Sequence, residues 1–260
     1  MAVITLTTDF GDTSPYVAVM KGVILSITPG ARLLDLTHRI RPQDVPHADY
    51  FLGTCVPHFP PGTIHVAVVD PGVGGTRKPI LIGAGGQFLL GPDNGLFTRA
   101  VHALGGTPTV RALENPQYRR PEVSATFHGR DIFAPAAAHL SRGVSPAEFG
   151  PVRPTWVQRK HTSAVCWKNE CAGEVQFVDD FGNVITNIPA EMVKELPVHV
   201  SLGGEPPHPI RWVRTYSDAA PGELVSLFSS DGFVEIAEVN GNAAKRVAAA
   251  VGMKVQVRFG

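Results

Sequence analysis

Charged residues are scarce in this sequence, and neither sign of charge dominates. Charged side chains make up 18% of the 260 residues, and 23 Lys and Arg balance 23 Asp and Glu. A chain without excess positive charge has no general field that attracts nucleic acid or an anionic membrane. We therefore expect neither as a partner, and a charged ligand must be recognised by local groups.

Long apolar runs are missing as well, and no stretch reaches the length that crosses a bilayer. The opening segment MAVITLTTDFGD has no basic n-region and is soon interrupted by polar residues, which is not typical of a signal peptide. These absences predict a cytoplasmic protein. With 43% hydrophobic residues, the chain can bury a core as one large domain or two smaller ones.

Cysteine is also rare, and the three residues are Cys55, Cys166 and Cys171. An odd number argues against a disulfide framework, so we predict reduced structural thiols. His161 precedes the last two at five-residue spacing. Zinc sites usually show tighter paired spacing and a fourth ligand, so we predict no metal site.

What the sequence does contain, in its first 150 or so residues, is an alternation of short β-rich runs with helical patterns. The predicted strands are VITLT (3–7), RLLDL (32–36), IHVAVVD (64–70), PILIGA (79–84) and QFLLG (87–91). The predicted helices cover 16–27, 44–56, 95–104 and 131–143. This rhythm is typical of an α/β domain with a mostly parallel central sheet, which we assign to residues 1–155.

The second part of the chain has a different composition. Prolines spaced along a polar stretch between Ser145 and Thr162 predict an irregular linker. Beyond it, residues 164–260 are rich in β-type runs and predict a smaller β-rich domain, a sandwich or a barrel. These runs lie at 172–188, 223–228, 233–239 and 254–259, with one helical candidate at 242–250.

Polar residues follow the strands predicted for the first domain, at the edge where open α/β sheets bind ligands. Asp70 follows six residues of which only His65 is polar, on a strand expected to be buried on both faces. A carboxylate there needs a partner, and Arg77 can return to it across a glycine-rich turn. Position alone leaves open whether such a pair is structural or catalytic.

The glycines of this turn do not match a nucleotide motif. GVGGTRK lacks the spacing of a phosphate loop, and PGVGG lacks the third glycine of the dinucleotide fingerprint. We therefore predict no dinucleotide cofactor. The same glycines would let a small ligand approach the backbone closely.

Two further motifs carry side chains suited to chemistry. In TFHGRD (126–131), His128 precedes a predicted helix and is either a packed histidine or an imidazole facing a cleft. Asp131 suits the helix N-terminus there. In VDDFGNVITN (178–187), Phe181 offers a stacking surface and Asn183 an amide, which fits either an ordinary hairpin turn or a grip on a heteroaromatic base.

Taken together, these motifs resemble the S-adenosyl-L-methionine hydroxide adenosyltransferase family. The resemblance covers essentially the whole chain and is carried in order by TTDFGD (7–12), VVDPGVGGTR (68–77), GPDNGLF (91–97), TFHGRDIFAP (126–135), DDFGNVITN (179–187) and SDGFVEIA (230–237). It implies an α/β N-terminal domain and a small β-barrel-like C-terminal domain. It also implies a homotrimer whose active site lies between one subunit's N-terminal domain and a neighbour's C-terminal domain.

The resemblance further implies a reaction in which water or hydroxide attacks the 5′ carbon of the ribose and displaces methionine, giving adenosine and L-methionine. Its catalytic residues fall on Asp70, Arg77 and His128, and no cofactor or metal is implied. Which of the three takes the proton stays open. The residues implied to contact the substrate are Asp9 at the ribose hydroxyls, Asp179 and Asn183 at the methionine and adenine ends with Phe181 beside them, Ser230 at the methionine carboxylate, and Phe127.

Two alternatives stay open. The chain resembles halide-using relatives less closely, because these carry a tyrosine and a serine where it has Asp70 and Gly129, and a carboxylate would repel an incoming halide. The other alternative is a non-catalytic module that binds a nucleoside or S-adenosyl-L-methionine. Product analysis separates the three functions.

Overall fold

The computed structural model describes residues 2–259 and divides into two compact units, Met1–Arg159 and Lys160–Gly260. The first unit has a six-stranded sheet of order β2-β1-β3-β5-β4-β6, in which only β4 runs against its neighbours. This confirms the α/β class and the mostly parallel sheet. The strands are β1 (Val3–Thr8), β2 (Arg32–Thr37), β3 (Ile64–Val68), β4 (Pro79–Ala84), β5 (Gln87–Pro92) and β6 (Thr109–Ala112).

Helices cover both faces of this sheet, which explains the continuous apolar strands. They are α1 (Tyr16–Ile27), α2 (Val45–Cys55), α3 (Thr98–Leu104) and α4 (Ala134–Ser141). Alternate residues of β3 point to opposite faces, so Val66 and Val68 join the core under α1 and α4, whereas Ala67 joins the core under α2 and α3. Asp70 follows β3 at its carboxyl end.

Several local predictions need correction. The helix predicted at 131–143 begins earlier, as a π-helical turn at Gly129–Phe133 that continues into α4. Strand β6 was not predicted. The segment predicted as a linker contains a 3-10 turn at Pro146–Phe149, and residues up to Arg159 are tied to the first unit. Arg153 N donates to Val110 O at 2.8 Å, and Arg159 N donates to Thr98 Oγ1 at 2.9 Å.

The second unit is built almost entirely from strands. Its main path runs β11-β10-β15-β8-β9-β14-β13-β12, with β7 paired to β8. Strand β10, the second strand from one end of this path, also approaches β12 at the other end, so the sheet is nearly closed and barrel-like. The strands are β7 (Val165–Trp167), β8 (Glu170–Val178), β9 (Val184–Pro189), β10 (Pro197–Leu202), β11 (His208–Pro209), β12 (Arg211–Trp212), β13 (Leu224–Phe228), β14 (Phe233–Glu238) and β15 (Lys254–Phe259). The helix predicted at 242–250 is only α5 (Ala243–Arg246).

The cysteine prediction was wrong for two of the three residues. Cys166 and Cys171 face each other across the β7–β8 hairpin and form a disulfide. Cys166 and Cys171 are five residues apart, a spacing that argued against zinc. In the tight β7–β8 hairpin this spacing places the two residues directly opposite each other. Cys55 lies at the end of α2, outside this bridge.

Among residues 2–259, no helix is long and apolar enough to cross a membrane.

Candidate active site

The central feature of the first unit is an arginine held between an acid and a histidine. Arg77 Nε donates to Asp70 Oδ1 at 2.9 Å, and Arg77 Nη2 donates to both Asp70 Oδ2 and His128 Nδ1, the latter at 2.7 Å. The side chains of Arg77 and Asp70 are only 10% and 5% exposed. The structure thus brings together the three residues predicted to be catalytic, Asp70 and Arg77 from the loop after β3 and His128 from the segment before the π-helical turn.

Two loops converge because one residue has no side chain. Gly74, in the turn between Asp70 and Arg77, has φ +75°, and a Cβ placed on it would lie 2.2 Å from Ala125 O. A glycine is therefore required for the turn to pack against the segment that leads into His128. The π-helical turn then starts directly after His128; such turns often occur at functional sites.

The electrostatics of this cluster favour an uncharged imidazole. Partial burial lowers the pKa of His128, and the charge of Arg77 lowers it further, whereas the carboxylates of Asp70 and Asp131 oppose this shift. Arg77 Nη1 is buried without a hydrogen-bond partner within the part of the chain that the structure describes. A buried guanidinium nitrogen with unused donors is the group expected where an oxygen ligand binds.

Asp9 lies at the neighbouring edge of the sheet, directly after β1. Its Oδ2 accepts a hydrogen bond from Gln43 N at 2.8 Å. The turn that carries it is fixed by Thr8, whose Oγ1 lies 2.9 Å from His38 Nδ1 and accepts from Phe10 N at 3.2 Å. Thr8 belongs to the TTDFGD motif noted after the first strand, whereas His38 was not singled out from the sequence.

Phe127 belongs to a cluster of three aromatic rings. Its centroid lies 5.2 Å from that of Tyr16 and 6.0 Å from that of Phe10, both in edge-to-face geometry. The guanidinium of Arg130 lies 5.1 Å above the Phe127 ring. Phe10 and Tyr16 were not predicted as part of the site, although Phe10 lies within TTDFGD and Tyr16 follows that motif by four residues.

The other predicted binding residues lie in the second unit. Asn183 N and Nδ2 donate to the two carboxylate oxygens of Asp179 at 2.7 and 2.9 Å, which closes the β8–β9 turn. Phe181, at its tip, is 78% exposed. Ser230 lies exposed in the β13–β14 turn. The turn is therefore an ordered hairpin that presents an aromatic ring, and the two interpretations of VDDFGN are compatible.

A buried acid of the second unit escaped the sequence reasoning. Glu235 on β14 is 4% exposed and accepts a hydrogen bond from Tyr216 OH at 2.6 Å. Burial raises the pKa of the Glu235 carboxyl, and the nearby charges of Asp179 and Asp231 raise it further against the opposing Tyr216 hydrogen bond. The sequence feature that could have indicated Glu235 is the single acidic residue within the apolar run FVEIA (233–237).

The grouping of potential metal ligands was compared over the residues that the structure describes. Residues 2–259 contain no group of three or more His, Cys, Asp or Glu side chains placed to hold a metal ion. Two of the three residues weighed for zinc, Cys166 and Cys171, are joined to each other.

The first unit has a mostly parallel α/β sheet with a partly buried Asp-Arg-His cluster beyond its carboxyl edge, and the second unit is barrel-like and presents an aromatic turn. These features define a class of protein with a small-molecule site of the open α/β type. Family models agree with both halves. Residues 4–150 match the SAM hydroxide adenosyltransferase N-terminal domain, and residues 173–256 match the C-terminal domain of the same name. The chain belongs to the S-adenosyl-L-methionine hydroxide adenosyltransferase family.

Relatives match along nearly the whole chain. A protein of Salinispora arenicola named (R)-S-adenosyl-L-methionine hydrolase is 40% identical over 99% of this chain and 98% of its own length. A protein of the same name from Thermus thermophilus is 38% identical over 96% of both. A fluorinase of Nocardia brasiliensis is 26% identical over 99% of this chain and 97% of its own. The crystal structure of an uncharacterised protein from Thermotoga maritima superposes with a TM-score of 0.93 at 35% identity, covering 98% of this chain and all of that one.

Proposed function

We propose that the protein hydrolyses S-adenosyl-L-methionine to adenosine and L-methionine by in-line attack of water or hydroxide at the ribose 5′ carbon. The observation that carries this function is the buried Arg77, which is oriented by Asp70 and His128 and keeps unused donors on Nη1. The (R) form in the names of the Salinispora and Thermus relatives makes the (R)-sulfonium epimer the expected substrate.

The reaction makes few demands on the leaving group. A sulfonium departs as a neutral thioether, so it needs neither a general acid nor a Lewis acid, and we propose that no cofactor or metal takes part. The demand falls on the nucleophile, because bulk water has a pKa of about 15.7. The site must hold the oxygen in line with the C–S bond and accept its proton as attack proceeds.

The hydrogen bonds of the cluster assign the proton positions. A guanidinium is always protonated and only donates, so His128 Nδ1 must accept from Arg77 Nη2. Neutral His128 then carries its proton on Nε2, a tautomer assigned from the hydrogen-bond pattern. In this state the imidazole is a donor toward the nucleophile at Nε2 and has no vacant nitrogen to receive a proton.

Asp70 is then the proton acceptor of the cluster. Its two oxygens accept from Arg77 Nε and Nη2, and a carboxylate has further lone pairs for an incoming proton. The oxygen of water loses a proton to Asp70 while it forms the bond to C5′ and the C–S electron pair leaves with methionine. Arg77 Nη1 and His128 Nε2–H stabilise the hydroxide that develops.

Substrate binding is proposed for the remaining predicted residues. Asp9 holds the ribose hydroxyls, with Phe127 beside the reacting carbon. In the second unit, Asp179 and Asn183 contact the methionine and adenine ends, Phe181 stacks on the base and Ser230 holds the methionine carboxylate. The 78% exposure of Phe181 supports this role, because a stacking ring must be accessible before its ligand arrives.

We further propose a homotrimer in which the second unit of one subunit completes the site of its neighbour, working in the cytoplasm. This proposal is supported by the distribution of the site residues, because the Asp-Arg-His cluster lies in the first unit and the proposed base-binding turn lies in the second. Sedimentation analysis should show a trimer. Full activity of a monomer at high dilution would contradict the shared site.

The decisive experiment incubates the purified protein with each sulfonium epimer and quantifies adenosine and methionine. Equal amounts of both products, unaffected by EDTA, are expected from the (R) epimer. Parallel reactions with chloride and fluoride test the halide-using alternative, for which the fluorinase relative is the reason. Substrate binding without any product would favour the non-catalytic binding module over an enzyme. Inhibition by EDTA that a divalent ion reverses would refute the metal-free mechanism.

A further inference from the structure

Asp131 is the most completely enclosed carboxylate beside the candidate site, and its role reaches beyond that of a residue at a helix start. Its side chain is 0% exposed and accepts from Arg130 Nε at 2.7 Å and Nη2 at 2.9 Å. Ser124 N donates to its Oδ2 at 2.9 Å, and Arg120 Nε lies 3.1 Å from its Oδ1. Four donors thus converge on one carboxylate.

These donors all belong to the segment that leads into His128 and past it. The backbone of Asp131 holds the same segment, because Arg120 N donates to Asp131 O at 2.9 Å and Asp131 N donates to Phe127 O at 3.2 Å. Asp131 therefore fixes the start of the segment at Arg120, its middle at Ser124 and its end at Phe127. His128 follows immediately and has little freedom to move independently.

The segment also contacts the other half of the cluster. Ala125 O lies against Gly74, in the turn that joins Asp70 to Arg77. A displacement of the segment would therefore change the distance between His128 Nδ1 and Arg77 Nη2, which is 2.7 Å. Among the described residues no hydrogen bond or ion pair joins Asp131 to Arg77. A second path runs through the π-helical turn itself, because the guanidinium carbon of Arg77 lies 5.7 Å from the ring centroid of Phe133, two residues beyond Asp131.

We propose that Asp131 is a positioning residue that sets the contact between His128 and Arg77. The proposal rests on the proposed hydrolase function for its kinetic part only. A carboxylate that merely stabilised the fold would affect the melting temperature of an Asp131 variant and leave its kcat unchanged.

The charged groups that face His128 are Arg77 and Asp70 from the loop after β3, Asp131 from the π-helical turn, and Arg119 from the preceding segment. Burial and the two arginines lower the pKa of His128, and the two carboxylates raise it. Removing the charge of Asp131 therefore lowers this pKa further. If turnover requires neutral His128, the acid limb of kcat/KM must move to lower pH.

The test is Asp131→Asn in the full-length protein, read out in two ways. NMR of the imidazole protons should show a lower pKa for His128 than in the wild type, a measurement that needs no substrate and holds even if the hydrolase function is wrong. In the activity assay, kcat should fall by roughly 10²-fold, the effect typical of a misplaced catalytic group, with a smaller change in KM. An unchanged titration of His128 would overturn the placement of Asp131 beside the imidazole on which the proposal rests, and an unchanged kcat would overturn its positioning role.

A matched control and a milder variant complete the design. Asp49 on α2 is 1% exposed, is paired with Arg99 and Arg159, and packs on the opposite face of the sheet, so Asp49→Asn should lower the melting temperature without moving the titration of His128. Arg120→Gln removes a half-exposed partner of Asp131 but leaves the charge of Asp131 in place. This milder variant replaces Asp131→Asn in the test if Asp131→Asn does not fold. It should lower kcat several-fold with the acid limb unmoved, and wild-type kcat in Arg120→Gln would overturn the positioning role.

Discussion

Arg77 Nη2 lies 2.7 Å from His128 Nδ1. Because a guanidinium can only donate, this contact makes Nδ1 an acceptor and leaves the single proton of the neutral ring on Nε2. The sequence left open which of Asp70, Arg77 and His128 takes the proton. In the proposed mechanism this contact makes His128 a donor toward the nucleophile and leaves Asp70, which the same arginine contacts through Nε, as the proton acceptor.

Replacing His128 distinguishes a donor from a base. His128→Ala should lower single-turnover adenosine formation by about 10²- to 10³-fold, the usual cost of losing one positioned donor, while substrate affinity changes little. His128→Gln should recover about tenfold of this loss, because a glutamine amide N–H can reach the position of Nε2. A rate of adenosine formation as low in His128→Gln as in His128→Ala would contradict the donor role of His128. A normal rate with an early melting transition would make His128 a structural residue.

Arg77 and His128 should act on the same oxygen and therefore not independently. Arg77→Ala and His128→Ala each remove stabilisation of the developing hydroxide, so the double variant should lose much less than the product of the two single effects. Arg77→Lys is the control, since it keeps the charge but not the fork that contacts both partners. Additive losses, or full activity of Arg77→Lys, would argue against one shared network.

Two buried threonines of β1 form a matched pair. Thr8→Val leaves Phe10 N and His38 Nδ1 without the hydroxyl and loosens the turn that holds Asp9, so KM should rise about tenfold, equivalent to about 1.4 kcal/mol. Thr5→Val removes the hydroxyl 2.7 Å from His65 Nδ1 and should lower stability by about 1–3 kcal/mol with KM unchanged. Steady-state kinetics measures KM, and urea unfolding measures the free energy of unfolding, for both variants. Equal effects of the two variants on KM would remove the link to Asp9.

Stability should fall on mild acidification. His65 is 0% exposed between Thr5 and Gln87, and burial lowers its pKa against the opposing hydrogen bond of Gln87. The unfolded chain therefore takes up a proton first, below about pH 6.5, and the contribution of neutral His65 is present above that pH and lost as the pH falls toward the folded-state pKa.

The measurement is the free energy of unfolding in urea between neutral and mildly acidic pH. Each such histidine contributes a slope of up to about 1.4 kcal/mol per pH unit. His65→Gln should flatten the curve only in part, because burial also lowers the pKa values of His128 and His139. An unchanged slope in His65→Gln would show that this residue is not the source.

The sequence by itself determined the class of fold and identified the candidate residues of the site. Hydrophobic periodicity predicted the α/β domain, since strands buried on both faces read as apolar runs, and the polar residues after β1 and β3 marked the sheet edge. Local pattern failed where pairing depends on distant neighbours. Strand β6 lies at the sheet edge beside β4, and Cys166 and Cys171 become partners only through the register of their hairpin.

Only the tertiary structure decided how the candidate site residues contact one another. Sequence placed Asp131 at a helix start, but its burial under Arg120 and Arg130 depends on how a loop folds back over a π-helical turn. The proton position on His128 depends on which nitrogen meets Arg77, a distance between residues 51 positions apart. Composition and spacing reveal which side chains are present, whereas donor and acceptor roles follow from geometry between loops that the chain brings together only when it folds.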